Sequence, residues 1–270
     1  MLLNDSVEYQ ESSIQEINQY LQKAIFLLGL FGFCLNILII ITCNKANKNS
    51  SFLYLVYVLA WWDGLTCSLL GLRIGLFRRI GINLTDVNVI LCKLVYIASR
   101  VTWDGSIWQI TLLTYERVVC IMCPIFYRKH ASIKTAKTIC LGLTLLNVLI
   151  NSSILYYFRY SNGKCFEDKS AYFFKAYVFV QHYLKLGILP IGLVTLGNIL
   201  VIIGIFRFSS QRKNRQSEKN KAILLLFMSL TFVICLSATN ICASISISIG
   251  ATKADNVYER MALFSSIGCE

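Results

Sequence analysis

Long apolar runs separated by short polar segments make up most of the chain. Residues 24–44, 138–158 and 186–206 are three runs of 21 residues without a charge, and residues 222–252 form a run of 31. About 18 or more consecutive apolar residues indicate a membrane-spanning helix, because a helix pairs every backbone N–H and C=O within itself. The pattern therefore predicts an all-α membrane protein that crosses the bilayer several times.

The limits of these runs predict six complete spans. They cover residues 21–43, 51–77, 89–121, 135–158, 172–206 and 220–249. A polar tail over residues 1–20 precedes them, and a partial helix over residues 256–270 follows them. No internal repeat is visible in the sequence, which weighs against a transporter built from two inverted halves.

The strong positive charge is explained by the loops. The 270 residues carry a formal charge of +12, and the basic residues cluster between the apolar runs, where they set the orientation of the spans. The lipid bilayer is therefore an expected partner, whereas nucleic acid is not. The numbers of Lys and Arg on the two sides do not decide the orientation, but the glycosylation sequons at Asn4 and Asn83 lie on one side and favour an N-terminus outside the cell.

Asp63 is an unusual residue for a membrane span, because a carboxylate at the bilayer centre costs about 2.5–3.5 kcal/mol. It lies in the second predicted span with no cation within several residues. One interpretation is a protonated, hydrogen-bonded packing residue. The other is a site that takes a small cation or changes its protonation state, with Asn36 and Ser106 as neighbouring oxygen ligands.

A second polar set lies in the outer halves of the predicted spans and is a candidate ligand site: Arg73, Tyr96, Arg100, Asp104, His182 and Lys185. Arg100 and Asp104 are four residues apart on one helical face, so we expect them to neutralise each other. The remaining charge is positive and favours a ligand with a carboxylate or another acidic group. The alternative is that this pair is structural and that the aromatic residues only pack.

Glu116 and Arg117 lie at the inner end of the third predicted span. Neighbours in sequence do not face each other on a helix, so we expect an imperfect and easily released pair, which suits a switch. The alternative is an interfacial pair whose charged ends reach the lipid headgroups.

The 11 cysteines and two histidines do not indicate an enzyme. A lone C-x-x-C at residues 120–123 lacks the second pair of a zinc site, and neither His130 nor His182 has a nucleophile or a metal-ligand partner in the sequence. We therefore do not expect an enzyme. Cys92 and Cys165 differ from most of the other cysteines because both lie in polar sequence close to loops.

Together these residues resemble the rhodopsin-like (class A) G-protein-coupled receptors over nearly the whole chain. The residues that match the motifs of that family, in order and spacing, are Asn36, Leu59-Ala60-Trp61-Trp62-Asp63, Cys92, Glu116-Arg117-Val118, Ile121, Pro124, Tyr127, Cys165, Pro190 and Phe232-x-x-Cys235. The resemblance implies a seven-transmembrane helix bundle in the plasma membrane. It also implies a receptor that passes the binding of an extracellular ligand to an intracellular heterotrimeric G protein.

The resemblance implies roles for particular residues as well. A disulfide between Cys92 and Cys165 would hold an outer loop over the ligand crevice. The residues that serve G-protein coupling would be Glu116, Arg117, Val118 and Pro124, and the residues that bind a sodium ion would be Asp63, Asn36 and Ser106. No cofactor besides this ion is expected. Ser99 stands where amine receptors carry an aspartate, so a peptide or a small acidic ligand is favoured over an amine.

The sequence departs from the family in two places. Leu236 and Ala238 replace the usual tryptophan and proline of helix 6, and residues 265–270 stop just short of the position of the NPxxY segment. The chain thus looks truncated within the seventh helix. Two other interpretations stay open: a polytopic ion or solute transporter or channel that uses Asp63 and the pair of Arg100 and Asp104, and a receptor fragment that does not signal.

Glycosylation mapping tests the predicted orientation. We expect endoglycosidase to shift the mobility of the expressed chain through loss of glycans on Asn4 or Asn83. The double substitution Asn4→Gln and Asn83→Gln should abolish the shift. A glycan on Asn49, whose sequon lies on the opposite side, would instead place the N-terminus inside the cell.

Overall fold

The structure, a computed structural model, describes residues 2–46, 50–71, 83–168, 172, 176–177, 179–208 and 223–237. Helices make up most of these residues. They are α1 (Leu2–Lys45), α2 (Ser51–Leu70), a 3-10 helix (Leu84–Asp86), α3 (Val89–Met122), α4 (Pro124–His130), α5 (Ile133–Asn151), α6 (Ile154–Tyr157), a π-helix (Phe179–Ile188), α7 (Leu189–Phe208) and α8 (Ile223–Ser237). Two short strands, β1 (Phe158–Ser161) and β2 (Lys164–Glu167), form an antiparallel hairpin.

Polar caps fix where three of the helices begin. The side chains of Ser50, Asn88 and Ser132 each accept a hydrogen bond from the backbone N–H three residues later, at 3.5, 2.8 and 3.1 Å. Each cap satisfies one of the N–H groups that the first turn of a helix leaves unpaired. α4 begins differently, with Pro124 in its first turn, where the missing N–H would have had no partner within the helix.

The first helix begins earlier than the apolar pattern predicts. The predicted polar tail, residues 1–20, is helical from Leu2 onward, and α1 continues for 44 residues to Lys45. No glycine or proline precedes Gly29. The backbone therefore contains no residue that would interrupt the helix where the sequence changes from polar to apolar.

A β-hairpin follows the fourth predicted span, residues 135–158, whose helical part runs over Ile133–Tyr157 with a turn at residues 152–153. α5 ends at Asn151, and β1 begins at Phe158. Asn162 and Gly163 form the hairpin turn with positive φ angles of 52° and 72°. Two such residues match the right-handed twist of the flanking strands, and Asn-Gly adopts this conformation readily. The Asn-Gly pair is thus the sequence signal for a hairpin that the apolar pattern did not predict.

Four segments of the described residues are long and apolar enough to cross a membrane: Phe26–Lys45, Ser51–Leu70, Ile133–Tyr157 and Leu189–Arg207. Large apolar side chains cover their outward faces. On α5, for example, Leu141, Leu145 and Leu149 are all exposed. Because residues four apart share one face of a helix, these leucines form an apolar stripe that suits contact with lipid.

α3 lies inside the described bundle and contacts α2, α5 and α7. Its polar residues point inward, and Asp104, Gln109 and Arg117 are all buried. Two buried apolar clusters pack against it: one joins Leu113 to α2, α5 and α8, and the other joins Ile107 to α7 and α8. The third predicted span is therefore the central helix of the described bundle.

Glycines allow α7 to lie close against α3. A Cβ atom at Gly197 would lie 2.6 Å from Cγ2 of Thr114, and one at Gly204 would lie 2.5 Å from Cγ2 of Ile121. The two contacts follow each other along one seam, since both glycines and both partners are two helical turns apart. Small residues at such seams let membrane helices approach closely and gain van der Waals contact.

Gly197→Ala should destabilise the bundle, because the added methyl group forces α7 away from Thr114. Overpacking of this kind costs about 1–3 kcal/mol, and thermal unfolding of the chain purified in detergent measures the loss. Gly192→Ala on the same helix is the matched control, since no atom lies within 4 Å of its added Cβ. The control should leave the unfolding temperature unchanged or slightly higher. Equal effects of the two substitutions would contradict the close seam.

Candidate functional site

α3 carries predicted functional residues along its whole length. Cys92 stands in the first turn, Asp104 and Ser106 near the middle, and Arg117 near the end. At about 1.5 Å per residue, the stretch from Cys92 to Arg117 is roughly 37 Å long, which is enough to reach from one membrane surface to the other. The predicted residues thus fall into three groups, which we name outer, middle and inner after the orientation that the sequence predicts.

The outer end of α3 is covalently joined to the hairpin. Cys92 and Cys165 form the disulfide that the resemblance implied, with 5.6 Å between their Cα atoms, so this prediction is confirmed. One helical turn further along α3, the ring of Tyr96 packs on the ring of Phe158 with 4.2 Å between centroids. The hairpin is therefore held against the outer end of the central helix by a covalent bond and by an aromatic contact.

Asp86, at the end of the 3-10 helix before α3, holds the hairpin in place through hydrogen bonds. Its Oδ1 atom accepts the N–H of Cys165 at 3.0 Å, and its carbonyl oxygen accepts the hydroxyl of Tyr160 at 2.9 Å. Its Oδ2 atom accepts Nδ2 of Asn83 at 2.8 Å. Asn83 itself is exposed, and its glycosylation stays a prediction.

Asp104 and Lys185 form a buried ion pair between α3 and the π-helix. Asp104 is 0% exposed and Lys185 is 6% exposed. We expected Arg100, one turn away on α3, to neutralise Asp104, but the structure pairs the carboxylate with Lys185 instead. The reason is that Asp104 faces the neighbouring helices, from which an ammonium group approaches it directly, whereas Arg100 is only half-buried.

Three amide side chains surround this ion pair. Asn151 of α5 donates from Nδ2 to Oδ2 of Asp104 at 2.7 Å and to Oδ1 of Asn147 at 2.7 Å. On the π-helix, Gln181 accepts a hydrogen bond from Lys185 at 3.3 Å through its Oε1 atom. α3, α5 and the π-helix are thus joined by one polar network inside the bundle.

The structure describes only some of the other predicted ligand-binding residues. Arg73 lies outside the described residues, and so does the side chain of His182. Arg100 and Glu167 both lie close enough to Tyr177 to act on its phenol electrostatically. Glu167, at the end of β2, is an unpredicted member of this outer region. Asp104 and Glu167 are therefore acidic groups close to the basic groups Arg100 and Lys185.

Asp63 and Ser106 meet between α2 and α3, where the hydroxyl of Ser106 donates to Oδ1 of Asp63. Asn36, the third predicted sodium ligand, packs on the same part of α2, with its Cβ atom 3.5 Å from the position of a Cβ on Gly64. Its amide nitrogen donates to the carbonyl of Gly32 at 2.9 Å. Carboxylate and hydroxyl oxygens suit a hard cation, so the donor set of Asp63 and Ser106 fits the predicted ion.

Glu116 and Arg117 form a close ion pair at the inner end of α3. Nε of Arg117 lies 2.6 Å from Oε2 of Glu116, and Nη2 lies 3.0 Å from Oε1. The expectation of an imperfect pair is wrong, because both side chains are long enough to bend toward each other although they start from adjacent residues. Two parallel bonds between a guanidinium and a carboxylate are stronger and more specific than one.

Side chains of α2 and α4 close over this pair. Tyr127 donates to Oε1 of Glu116, and its oxygen lies 3.3 Å from Oγ of Ser51. The guanidinium carbon of Arg117 lies 3.9 Å from the ring centroid of Phe52, which is cation–π geometry. Arg117 is consequently only 2% exposed. The described conformation thus withholds Arg117 from the inner surface.

Tyr127 keeps its proton in this setting. Burial raises the pKa of its phenol, and the hydrogen bond to Glu116 raises it further. The phenol therefore remains a donor at physiological pH. The other two residues expected to serve coupling flank this region: Val118 is half-buried on α3, and Pro124 begins α4.

Sequence reasoning missed the polar partners that other helices supply. Asn147 and Asn151 are buried, and an asparagine within an apolar run is the signal that could have indicated them. Tyr127 matches the family motif, but nothing in the sequence indicates that it reaches Glu116. Nothing in the sequence indicates the role of Asp86, because an acidic residue between two predicted spans is ordinary.

The disulfide, the helical bundle and the buried Arg117 are features of a receptor-like membrane protein. The comparison with sequence families agrees with this. Residues 26–253 match the sequence model of a family described as serpentine type 7TM GPCR chemoreceptor Srx. The match covers most of the chain, so the chain belongs to this family of seven-transmembrane G-protein-coupled receptors. The resemblance and the predicted helical bundle are thereby confirmed, and the chain is a multi-pass membrane protein.

The similar proteins are receptors and not enzymes. The chain is 25% identical to cysteinyl leukotriene receptor 1 of Mus musculus over 228 residues, which is 81% of this chain and 63% of that receptor. It is 33% identical to formyl peptide receptor-related sequence 4 of Mus musculus over 60 residues, 22% of this chain and 19% of that protein. Identity to somatostatin receptor type 1 of Rattus norvegicus is 24% over 162 residues, 55% of this chain and 40% of that receptor. The chain thus spans less than two thirds of the length of the leukotriene receptor.

Tyr127→Phe should loosen the inner cluster, because it removes a hydrogen bond to the buried carboxylate of Glu116. Loss of a hydrogen bond to a charged group costs about 1.5–3 kcal/mol, and the unfolding temperature of the purified chain measures it. Tyr156→Phe is the control, since that side chain is exposed and should tolerate loss of its hydroxyl. If Tyr127→Phe is as stable as the control, the phenol contributes nothing to holding Glu116.

Proposed function

We propose that the chain is a receptor that passes the binding of an extracellular ligand to a heterotrimeric G protein. The observation that carries this proposal is the buried pair of Glu116 and Arg117 at the inner end of the central helix. The same helix holds the disulfide of Cys92 at its outer end. A single rigid element therefore links the region where a ligand would bind to the region where a G protein would dock.

The inner cluster supports a two-state mechanism. In the described conformation, Arg117 is bound to Glu116 and stacked on Phe52. An agonist would favour a second state in which Arg117 is released to the G protein, and it can shift the equilibrium only by its difference in affinity for the two states. A nearly complete shift, from 1:99 to 99:1, needs a preference of about 10⁴-fold.

The short helix α4 offers a docking surface next to this pair. Its side chains Ile125 and Phe126 are exposed, and so are the basic side chains Arg128 and Lys129. Exposed apolar side chains rimmed by charged ones are typical of surfaces that bind another protein. This surface supports a protein partner on the inner side of the membrane.

The proposed orientation has the N-terminus outside the cell. The disulfide of Cys92 and Cys165 favours this, because disulfides persist in oxidising surroundings, and the sequons at Asn4 and Asn83 lie on the same side. The proposed ligand is a peptide or a small acidic molecule and not an amine. The name of one similar protein, the formyl peptide receptor-related sequence, supports a peptide.

We further propose that Asp63 and Ser106 hold a sodium ion, with the amide oxygen of Asn36 as a third ligand. The carboxylate would supply the negative charge that a cation needs within the bilayer, and the ion would favour the conformation in which α2 and α3 lie as described.

Basal G-protein activation in cells that express the chain tests the receptor proposal. Glu116→Gln removes the charge that holds Arg117 and should raise basal activity. Arg117→Ala should reduce activity to the level of untransfected cells. Lys134→Ala, which removes an exposed cation at the start of α5 and outside the α4 surface, is the control for charge loss at the inner surface. If the unsubstituted chain, Glu116→Gln and Arg117→Ala give equal signals at equal surface levels, the proposal is wrong.

A further inference from the structure

The polar segment at the start of α1 has a seven-residue repeat. Because α1 is helical from Leu2 onward, its residues can be assigned to the positions a to g of a heptad, with Val7 at a. Apart from Gln10, the a and d positions between residues 3 and 24 hold only apolar residues: Leu3, Val7, Ile14, Ile17, Leu21 and Ala24. Of the 15 residues at the other five positions, 13 are polar or charged and two are tyrosines. This repeat is typical of a coiled coil.

The width of this apolar stripe distinguishes a coiled coil from packing on a globular surface. A helix that packs on a globular core carries apolar residues at e or g as well as at a and d. The e and g positions of residues 4–20 hold one tyrosine, and otherwise only Asn, Glu and Ser. A strict spacing of 3.5 residues makes two helices wind around each other in a left-handed supercoil. The stripe is therefore the narrow seam of a helix pair.

α1 carries this seam beyond the end of the described part of α2. Gly29 lies beside Gly71, where that part ends, since a Cβ atom on Gly29 would lie 3.1 Å from the Cα atom of Gly71. Residues 3–24 continue α1 past this level for about 32 Å, at about 1.5 Å per residue. At the base of this extension, the described side chains of Tyr20, Lys23 and Ala24 are all exposed. The described part of α2 therefore does not cover the seam.

We propose that residues 3–24 form a parallel two-stranded coiled coil with the same segment of a second copy of the chain, which makes the protein a dimer. The membrane sets the geometry of this pair, because two copies inserted in one orientation hold their α1 helices parallel and at the same height above the bilayer. Confinement to one membrane also raises the effective concentration of each helix around the other. Each seam position then meets its own equivalent across a two-fold axis.

The charges of the segment are compatible with pairing to itself. In a parallel coiled coil, a g residue meets the next e residue of the other helix. These pairs are Ser6 with the partner's Glu11 and Ser13 with the partner's Asn18, and neither brings like charges together. The other three acidic residues occupy positions b, c and f, on the outside of the pair. Asn4 also stands at an e position, in the first turn, so a glycan there would flank only the far end of the seam.

A membrane surface is the competing occupant of an apolar stripe on a helix. Helices that lie on membranes carry Lys and Arg on their polar face, whereas residues 3–24 contain four acidic residues and one lysine. α1 also runs without a break from the extension into the segment Phe26–Lys45, which is apolar enough to cross a membrane. To lie flat, the extension would need a sharp bend, and residues 2–28 contain no glycine or proline that would allow one. A second copy of the chain therefore matches the seam better.

Cysteine cross-linking in membranes that contain the full chain tests this pairing. Ile14→Cys and Ile17→Cys, at a and d, place a thiol of each copy opposite its equivalent, and molecular oxygen with copper phenanthroline takes two electrons and two protons from the two thiols as the disulfide forms. Both variants should shift most of the chain to twice its mass on a non-reducing gel, and a reductant should reverse the shift. Gln15→Cys and Gln19→Cys, at the outer positions b and f, are the matched controls. They should cross-link no more than the unsubstituted chain, which carries only the native cysteines.

Any other pattern overturns the inference. Equal cross-linking at all four positions indicates random collision, and cross-linking at residues 15 and 19 alone assigns the contact to another face of α1. No cross-linking at any position is the result expected of an extension that lies on lipid. An intact disulfide between Cys92 and Cys165 in each variant shows that the chain has folded. Cross-linking needs neither a ligand nor a G protein, so the result does not depend on whether the chain signals.

Discussion

A charged or amide side chain inside a membrane must find its partner within the protein, and this constraint organises the described bundle. It falls mainly on α3. Asp104 is met by Lys185 from the π-helix and by Asn151 from α5, and Ser106 meets Asp63 of α2. Because these partners come from different elements, satisfying them fixes which face of each neighbour is turned toward α3.

The polar contacts specify this arrangement more than they stabilise it. Burying an ion pair costs each group its hydration, and the attraction between the charges often only offsets that loss. Removing one partner is different, since an unpaired buried charge costs about 3–5 kcal/mol. Close packing at the Gly197 seam and in the two apolar clusters supplies the favourable contacts, and the polar network excludes registers in which Asp104 would face lipid. Apolar packing thus supplies the attraction between the helices, and the polar network determines which faces of the helices meet.

The difference between apolar packing and specific polar contacts explains which features could be predicted from the sequence. Apolar runs predicted helices at the four described spans, because membrane insertion depends on the composition of each segment. The disulfide of Cys92 and Cys165 followed from a motif resemblance. The pairing of Asp104 with Lys185 could not be predicted in this way. Lys185 reaches Asp104 because of how the π-helix packs against α3, and that packing depends on side chains far apart in sequence. The hairpin was missed for a simpler reason: the apolar pattern says nothing about Asn162 and Gly163, whose turn chemistry has to be considered separately.

The same contacts bear on how the two ends of α3 communicate. Asp104 and Arg117 are thirteen residues apart on one helix, about 20 Å, so α3 alone provides only a rigid connection. Between them, Ile107 packs with Val194 of α7 and Phe232 of α8.

Nearer the inner end, Thr114 lies against Gly197, and Ser229 of α8 donates to Oδ1 of Asn198 of α7 at 2.7 Å. α7 continues directly from the π-helix that carries Lys185. Contacts therefore run without a break from Lys185 through α7 to α8, beside the helix that holds Arg117. Because coupling between distant sites needs an element whose arrangement both sites can bias, the joined pair of α7 and α8 is the part of the described bundle that meets this requirement.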